Sequence, residues 1–213
     1  MLGVWPVPVI GVCGPVGAGK STLTARLAEE LGFAAWPERV ADNPFFDRYT
    51  RDKSTWAYLS QLAFMLGAVQ DAAAARRVPP GAVLERPVEE MLNIFVRTLH
   101  RRGLLDGEEL AKLERVAELG CALAGVPEVL ILLHGDPELL LERIQDRARG
   151  GEEMYDLPEL GEIQAAYSDW RVTLANRIVI DVDAGERDLR DPLEIGKLGG
   201  EVRAALELRS SGP

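Results

Sequence analysis

The chain has 213 residues, 47% apolar and 27% charged, the composition of one globular domain (1–213) with room for a core of its own. Its 24 Lys and Arg against 34 Asp and Glu leave a net charge of −10, and a surface that acidic repels a phosphate backbone, which argues against a nucleic-acid polymer as partner. No apolar run approaches the roughly 20 residues of a membrane helix, no basic leader precedes the first apolar stretch, and the two cysteines, Cys13 and Cys121, lie in apolar runs without a disulfide pattern; the expectation is a cytoplasmic protein away from membranes.

In chain order, a first strand is expected over Val7 to Cys13, followed at once by Gly14-Pro15-Val16-Gly17-Ala18-Gly19-Lys20-Ser21-Thr22 and a helix over Lys20 to Leu31. Two glycines five apart, then Lys and Ser, between a strand and a helix, form the phosphate-binding loop pattern. Glycine lets successive N–H groups turn inward around phosphate oxygens, and the helix adds the positive end of its dipole. Lys20 is placed to reach the β- and γ-phosphates of ATP, and Ser21 to ligate Mg²⁺.

A second strand, Ala34 to Pro37, leads to Glu38, and the irregular stretch 42–54 precedes a helix over Thr55 to Arg76. Strand three, Ala82 to Glu85, ends on Glu85-Arg86 and gives way to a helix from Val88 to Arg101; Pro87 between them suits a first helical turn. Asp106 reads as the N-cap of a helix over Glu108 to Leu123. Strand four, Val129 to His134, is followed by Asp136-Pro137, which opens a helix running to Arg147. A glycine-containing stretch precedes a helix over Glu159 to Leu174, strand five covers Arg177 to Asp181, and a last helix spans Leu193 to Leu206 before a tail at about 208–213, frayed over Ser210 to Pro213. Strands alternating with helices predict an α/β fold with a five-stranded parallel sheet flanked by helices.

A phosphate loop specifies a nucleotide but no acceptor. Trp36-Pro37-Glu38-Arg39-Val40 with Asn43-Pro44-Phe45-Phe46, Trp56-Ala57-Tyr58-Leu59-Ser60-Gln61, Leu84-Glu85-Arg86, Arg143-Ile144 with Arg147-Ala148-Arg149, and Tyr167-Ser168-Asp169-Trp170 follow one another in an order that resembles the deoxynucleoside kinases. The resemblance runs from about Val7 to Asp181. It implies a P-loop kinase transferring the ATP γ-phosphate to the 5′-hydroxyl of a deoxynucleoside, and a homodimer formed through a pair of helices, for which the apolar faces of Leu59 to Ala68 and Met91 to Leu99 offer themselves. It makes Glu38 the first choice of proton acceptor, with Glu85 as the alternative and as a water-mediated Mg²⁺ ligand, and Arg86 the contact to the 5′-oxygen. It places Arg143, Arg147 and Arg149 in an arginine-rich lid at about 147–158, Gln61 on the base edge, and Tyr49 with Glu152 on the 3′-hydroxyl.

Two positions depart from the resemblance. Seven residues after Gln61, where many purine and deoxycytidine kinases have an arginine, this chain has Ala68, and six after Glu85, where they have an aspartate, it has Met91. A pocket without that pair is expected to tolerate more than one base, with Glu90 or Gln70 as the residues that could replace it. The competing readings are a thymidylate kinase-like monophosphate kinase, which Asp47-Arg48-Tyr49 resembles superficially, and a P-loop nucleotide sensor without activity.

Overall fold

The five strands are β1 Val9–Cys13, β2 Ala34–Trp36, β3 Ala82–Glu85, β4 Val129–His134 and β5 Ile178–Asp183, in a computed structural model that describes residues 7–147 and 155–210. They form one sheet in the order β2-β3-β1-β4-β5 with every pairing parallel, as expected. Strand β1 is buried along its whole length because it lies in the middle, covered on both faces; a parallel strand there has no polar side to show. The two neighbours of β1 are β3 and β4, two and three strands later in the chain, so the chain reverses direction across the sheet at β1. The crevice at the strand C-termini beside such a reversal is where open α/β sheets bind ligands.

Helices α1 (Lys20–Leu31), α7 (Pro137–Arg147) and α9 (Pro192–Ser210) pack with β1 and β4 into one apolar layer through Leu23, Leu27, Leu140, Leu198 and Val202. On the other face, Cys13, Ile94, Ile163 and Trp170 join the sheet to α8 (Leu157–Thr173). Helix α3 (Lys53–Ala75) lies along α6 (Gly107–Ala124) so closely that a Cβ at Gly120 would come within 2.3 Å of the Val69 side chain.

The cap read at Asp106 is a full capping box: Asp106 accepts the Glu109 N–H at 2.8 Å and Glu109 accepts the Asp106 N–H at 2.9 Å. Asp136 accepts the Glu138 N–H at the head of α7. Three features differ from expectation. The stretch 42–54 holds a short helix, α2 (Phe46–Arg51), and α3 starts two residues early because Asp52 accepts the Thr55 N–H. The helix expected from Val88 to Arg101 is composite: α4 (Val88–Glu90), a π-helical stretch Met91–Val96 and α5 (Arg97–Arg101), with the Asn93 amide donating to the Glu89 carbonyl inside the widened turn. The last helix, expected to end at Leu206, continues as α9 to Ser210, with Arg209 held 3.6 Å from Glu128.

Candidate active site

The sheet order brings the ends of β1, β2 and β3 together, and with them the phosphate loop, Glu38 and the Glu85-Arg86 pair. The loop needs its glycines for geometry and for space. Gly14 has φ +153°, and a Cβ there would sit 2.7 Å from that of Leu133; Gly17 has φ +85°, and a Cβ would meet the Leu140 carbonyl oxygen at 2.6 Å. The chain therefore runs against α7 and the end of β4 without side chains, leaving its inner face to the cleft.

Lys20 is buried, its Nζ donating to the Pro15 carbonyl at 2.9 Å. Burial lowers its pKa to about 8, Arg86 adds to the fall, and Glu85, Glu90 and Glu38 oppose it. Ser21 Oγ donates to Glu85 Oε1 at 3.0 Å, and Glu85 Oε2 accepts the backbone N–H of Glu38 at 3.2 Å. Both Glu85 oxygens are thus engaged. Glu38 meets Arg86 through Oε2 and Nε at 2.9 Å, and the Arg86 guanidinium lies over the Phe95 ring at 4.3 Å. The Arg86 backbone has φ +56°, a left-handed conformation that costs a side-chain-bearing residue about 1–3 kcal/mol. It is held there by its N–H, which donates to the Val12 carbonyl at 2.9 Å, and by Pro87, the extended residue that caps α4.

A cleft extends from the phosphate loop and is walled by Gln61, Tyr49, Phe46, Phe64, Met91 and Tyr155. Gln61 lines the cleft but is buried, and its Oε1 has no partner among the described residues. Tyr49 is buried too, and its pKa is pushed up to about 12, by burial first and then by Glu159. Phe64 lines the cleft edge-on to Phe46, whereas Trp56 stacks on Phe45 beneath Arg48 and is not part of the wall. Beyond Met91 a second cavity continues past Ala68, Gln70, Arg39 and Asp71, sharing Glu38, Phe64, Glu85 and Arg86 with the first. Arg39 and Asp71 are paired at 2.6 Å on its wall.

Among the other residues singled out in the sequence, Arg147 reaches the cleft, while Arg143 donates to the Ala184 carbonyl at 2.9 Å and does not line it. Arg149 and Glu152 lie outside the described residues. Glu90, read as a substitute base contact, turns the other way: it is fully buried and accepts the N–H of Gly14 at 2.9 Å. Two groups were missed altogether. Glu159, at the tip of α8, lines the cleft while paired with Lys53 at 2.9 Å and Arg102 at 2.7 Å. Tyr155 is half-buried on the cleft wall, with its pKa raised by burial. Neither carried a signal, since a lone glutamate and a tyrosine in a loop read as surface.

The donor set fits magnesium. A hydroxyl and a carboxylate meet at the phosphate end, and among the described residues no group of three or more His, Cys, Asp or Glu gathers to hold a metal alone. Mg²⁺ is ordinarily bound in this way, by one or two protein oxygens together with nucleotide phosphates and water.

A phosphate loop at the C-terminal edge of a five-stranded parallel sheet, with carboxylates and an arginine between it and a deep cleft, defines a P-loop phosphotransferase. Residues 10–197 match the family model for deoxynucleoside kinase, and the chain belongs to that family. It is a deoxynucleoside kinase. It is 30% identical to the deoxyadenosine/deoxycytidine kinase of Bacillus subtilis (strain 168) over 164 residues, 76% of each chain, and 27% identical to the deoxyguanosine kinase of Lactobacillus johnsonii over 87% of this chain and 89% of that one. The fold matches a solved structure of deoxyadenosine kinase from M. mycoides with bound dCTP at a TM-score of 0.77 and 20% identity, covering 92% of this chain and 99% of that one.

Proposed function

We propose that the donor is ATP with Mg²⁺ and that Glu38 takes the proton from the 5′-hydroxyl of the deoxynucleoside. The observation that carries this reading is the continuous chain Ser21–Glu85–Glu38–Arg86, which ties the phosphate loop to the pocket. The new bond joins the 5′-oxygen to the γ-phosphorus, the bond to the β,γ-bridging oxygen breaks to leave ADP, and the proton goes to the carboxylate. Glu85 has both oxygens committed to Ser21 and to the Glu38 backbone, which favours Glu38 as acceptor. Lys20 and Arg86 supply positive charge where charge spreads over the transferring oxygens. Ser21 and Glu85 would hold Mg²⁺, which when bound neutralises the phosphate charge. Phosphate-loop residues 14–22 hold the nucleotide, with Arg147 and Arg149 as lid arginines.

Gln61 reads the base, its unpartnered oxygen meeting a base donor, and Tyr49 with Glu152 holds the sugar 3′-hydroxyl. With Ala68 and Met91 in place of a charged pair, those two positions hold no guanidinium or carboxylate to punish a base that cannot pair with it, and discrimination should be shallow. The protein works in the cytoplasm as a homodimer; among the described residues no helix is long and apolar enough to cross a membrane. A panel of the four deoxynucleosides and their monophosphates, with ATP and Mg²⁺ and scored by ADP formation, tests the reading. At least two deoxynucleosides should show kcat/KM within about 100-fold of each other, a span of roughly 2.7 kcal/mol. Turnover of monophosphates alone would overturn the acceptor, and one nucleoside standing far beyond that margin would overturn the breadth.

A further inference from the structure

Glu90 is the one acidic side chain with no exposed surface among the described residues, and the chemistry above gives it no part. Its Oε1 accepts the N–H of Gly14, the first residue of the phosphate loop, at 2.9 Å, accepts the hydroxyl of Tyr167 on α8, and faces Arg86 Nη1 at 3.5 Å. Its Oε2 has no partner among the described residues. A carboxylate in so dry a place is retained only where strong donors converge on it. Here they come from three separate elements: the end of β1, the turn after β3, and α8. Arg86 in turn is gripped from two sides, by Glu38 at Nε and by Glu90 at Nη1, with the Phe95 ring beneath.

We infer that Glu90 is a positioning residue for phosphoryl transfer: its carboxylate sets the aim of Arg86 and the entry of the phosphate loop together, and Tyr167 acts through it. This rests on the reading of Arg86 and the loop given above. Without Glu90, the Gly14 N–H loses its acceptor and Arg86 falls to Glu38 alone. The misplacement then falls on the transferring phosphoryl group rather than on the nucleoside pocket.

The test compares Glu90→Gln, Tyr167→Phe and the double variant with the parent, each checked by circular dichroism, for kcat and for KM of nucleoside and ATP. Glu90→Gln keeps the shape but removes the charge facing Arg86, and kcat should fall about 10-fold or more with nucleoside KM within about 3-fold. Tyr167→Phe should lower kcat by roughly 3- to 10-fold, and the double variant should be no worse than Glu90→Gln alone, as for residues acting as one unit. A kcat within about twofold of the parent in either single variant, a loss confined to KM, or losses that multiply in the double variant would overturn the inference. If Glu90→Gln does not fold, the kcat of Tyr167→Phe decides by the same twofold margin. A parent inactive on every deoxynucleoside would instead sink the underlying reading, whereas an active parent with unaffected variants sinks only the role of Glu90.

Discussion

Two carboxylates compete for the proton, and their surroundings separate them. Glu85 accepts from a serine hydroxyl and a backbone amide, while Glu38 has one oxygen on Arg86 and sits on the wall of the substrate cleft. Glu38→Gln keeps the size of the side chain and removes its capacity to accept a proton, so kcat should drop by roughly 10²-fold or more with little change in nucleoside affinity. If Glu85→Gln alone gave that pattern, the two roles would be exchanged. Lys20 supplies a second handle. Its pKa of about 8 lies below the ordinary 10.5, so the ammonium of the free protein loses its proton as pH rises through about 8. Kcat/KM for ATP, which reports the free enzyme, should therefore decline above about pH 8, whereas kcat at saturating ATP should hold to higher pH, because bound phosphates favour the charged form. The stability contribution has the opposite slope: the unfolded chain carries the extra proton between about 8 and 10.5, so this group favours folding increasingly as pH rises across that window. A flat kcat/KM profile for ATP from pH 7 to 10 would show that the charge on Lys20 is not what binds the phosphates.

At the level of elements, the opposite end of the sheet is closed by a buried ion pair. Arg76 Nη1 meets Glu128 Oε2 at 2.6 Å, its other nitrogens donate to the carbonyls of Ala124 and Val126, and Glu128 also accepts the Val9 N–H at 2.7 Å. The pair joins the end of α3 to the starts of β1 and β4. Removing one partner strands the other charge in a dry place, so Glu128→Ala should cost about 3–5 kcal/mol in denaturant unfolding while leaving nucleoside KM unchanged. A loss below about 1 kcal/mol would mean that water replaces the carboxylate. That network also marks where sequence reading stops. Strands β1, β3 and β4 were legible because continuous apolar runs of strand length end at glycine or at charge, and the phosphate loop because its spacing is set by backbone geometry. Helix α2 has six residues, too few to show a helical period, and the π-helical stretch Met91–Val96 is written in the same apolar residues as an ordinary helix. Glu38, Glu85 and Arg86 were readable at strand ends. Glu90 and Glu159 were not, since their partners lie 76 and 106 residues away and nothing local says that a glutamate will face inward.

For the whole molecule the open matter is assembly. The apolar residues Met91, Ile94, Val96 and Leu99, offered by the sequence as a dimer face, are buried inside the chain and serve its core. In the other offered stretch, Leu59 and Leu66, two turns apart on α3, are exposed, and so are Leu119 and Leu123, one turn apart on the neighbouring α6. Because Gly120 lets α6 press against α3, these two helices can present one joined surface, the kind of patch that marks an interface. Two such pairs facing each other would make a four-helix contact with twofold symmetry. Each copy carries a net charge of −10, so association must overcome long-range repulsion, and added salt should tighten the dimer by screening that repulsion while leaving the apolar contact intact. Light scattering at micromolar concentration should give a dimer. Leu119→Glu with Leu123→Glu, both at exposed positions that leave the core untouched, should give a folded monomer. A parent that stays monomeric at about 0.15 M salt and above would remove the assembly altogether, and a dimer indifferent to both leucines would move it to another face.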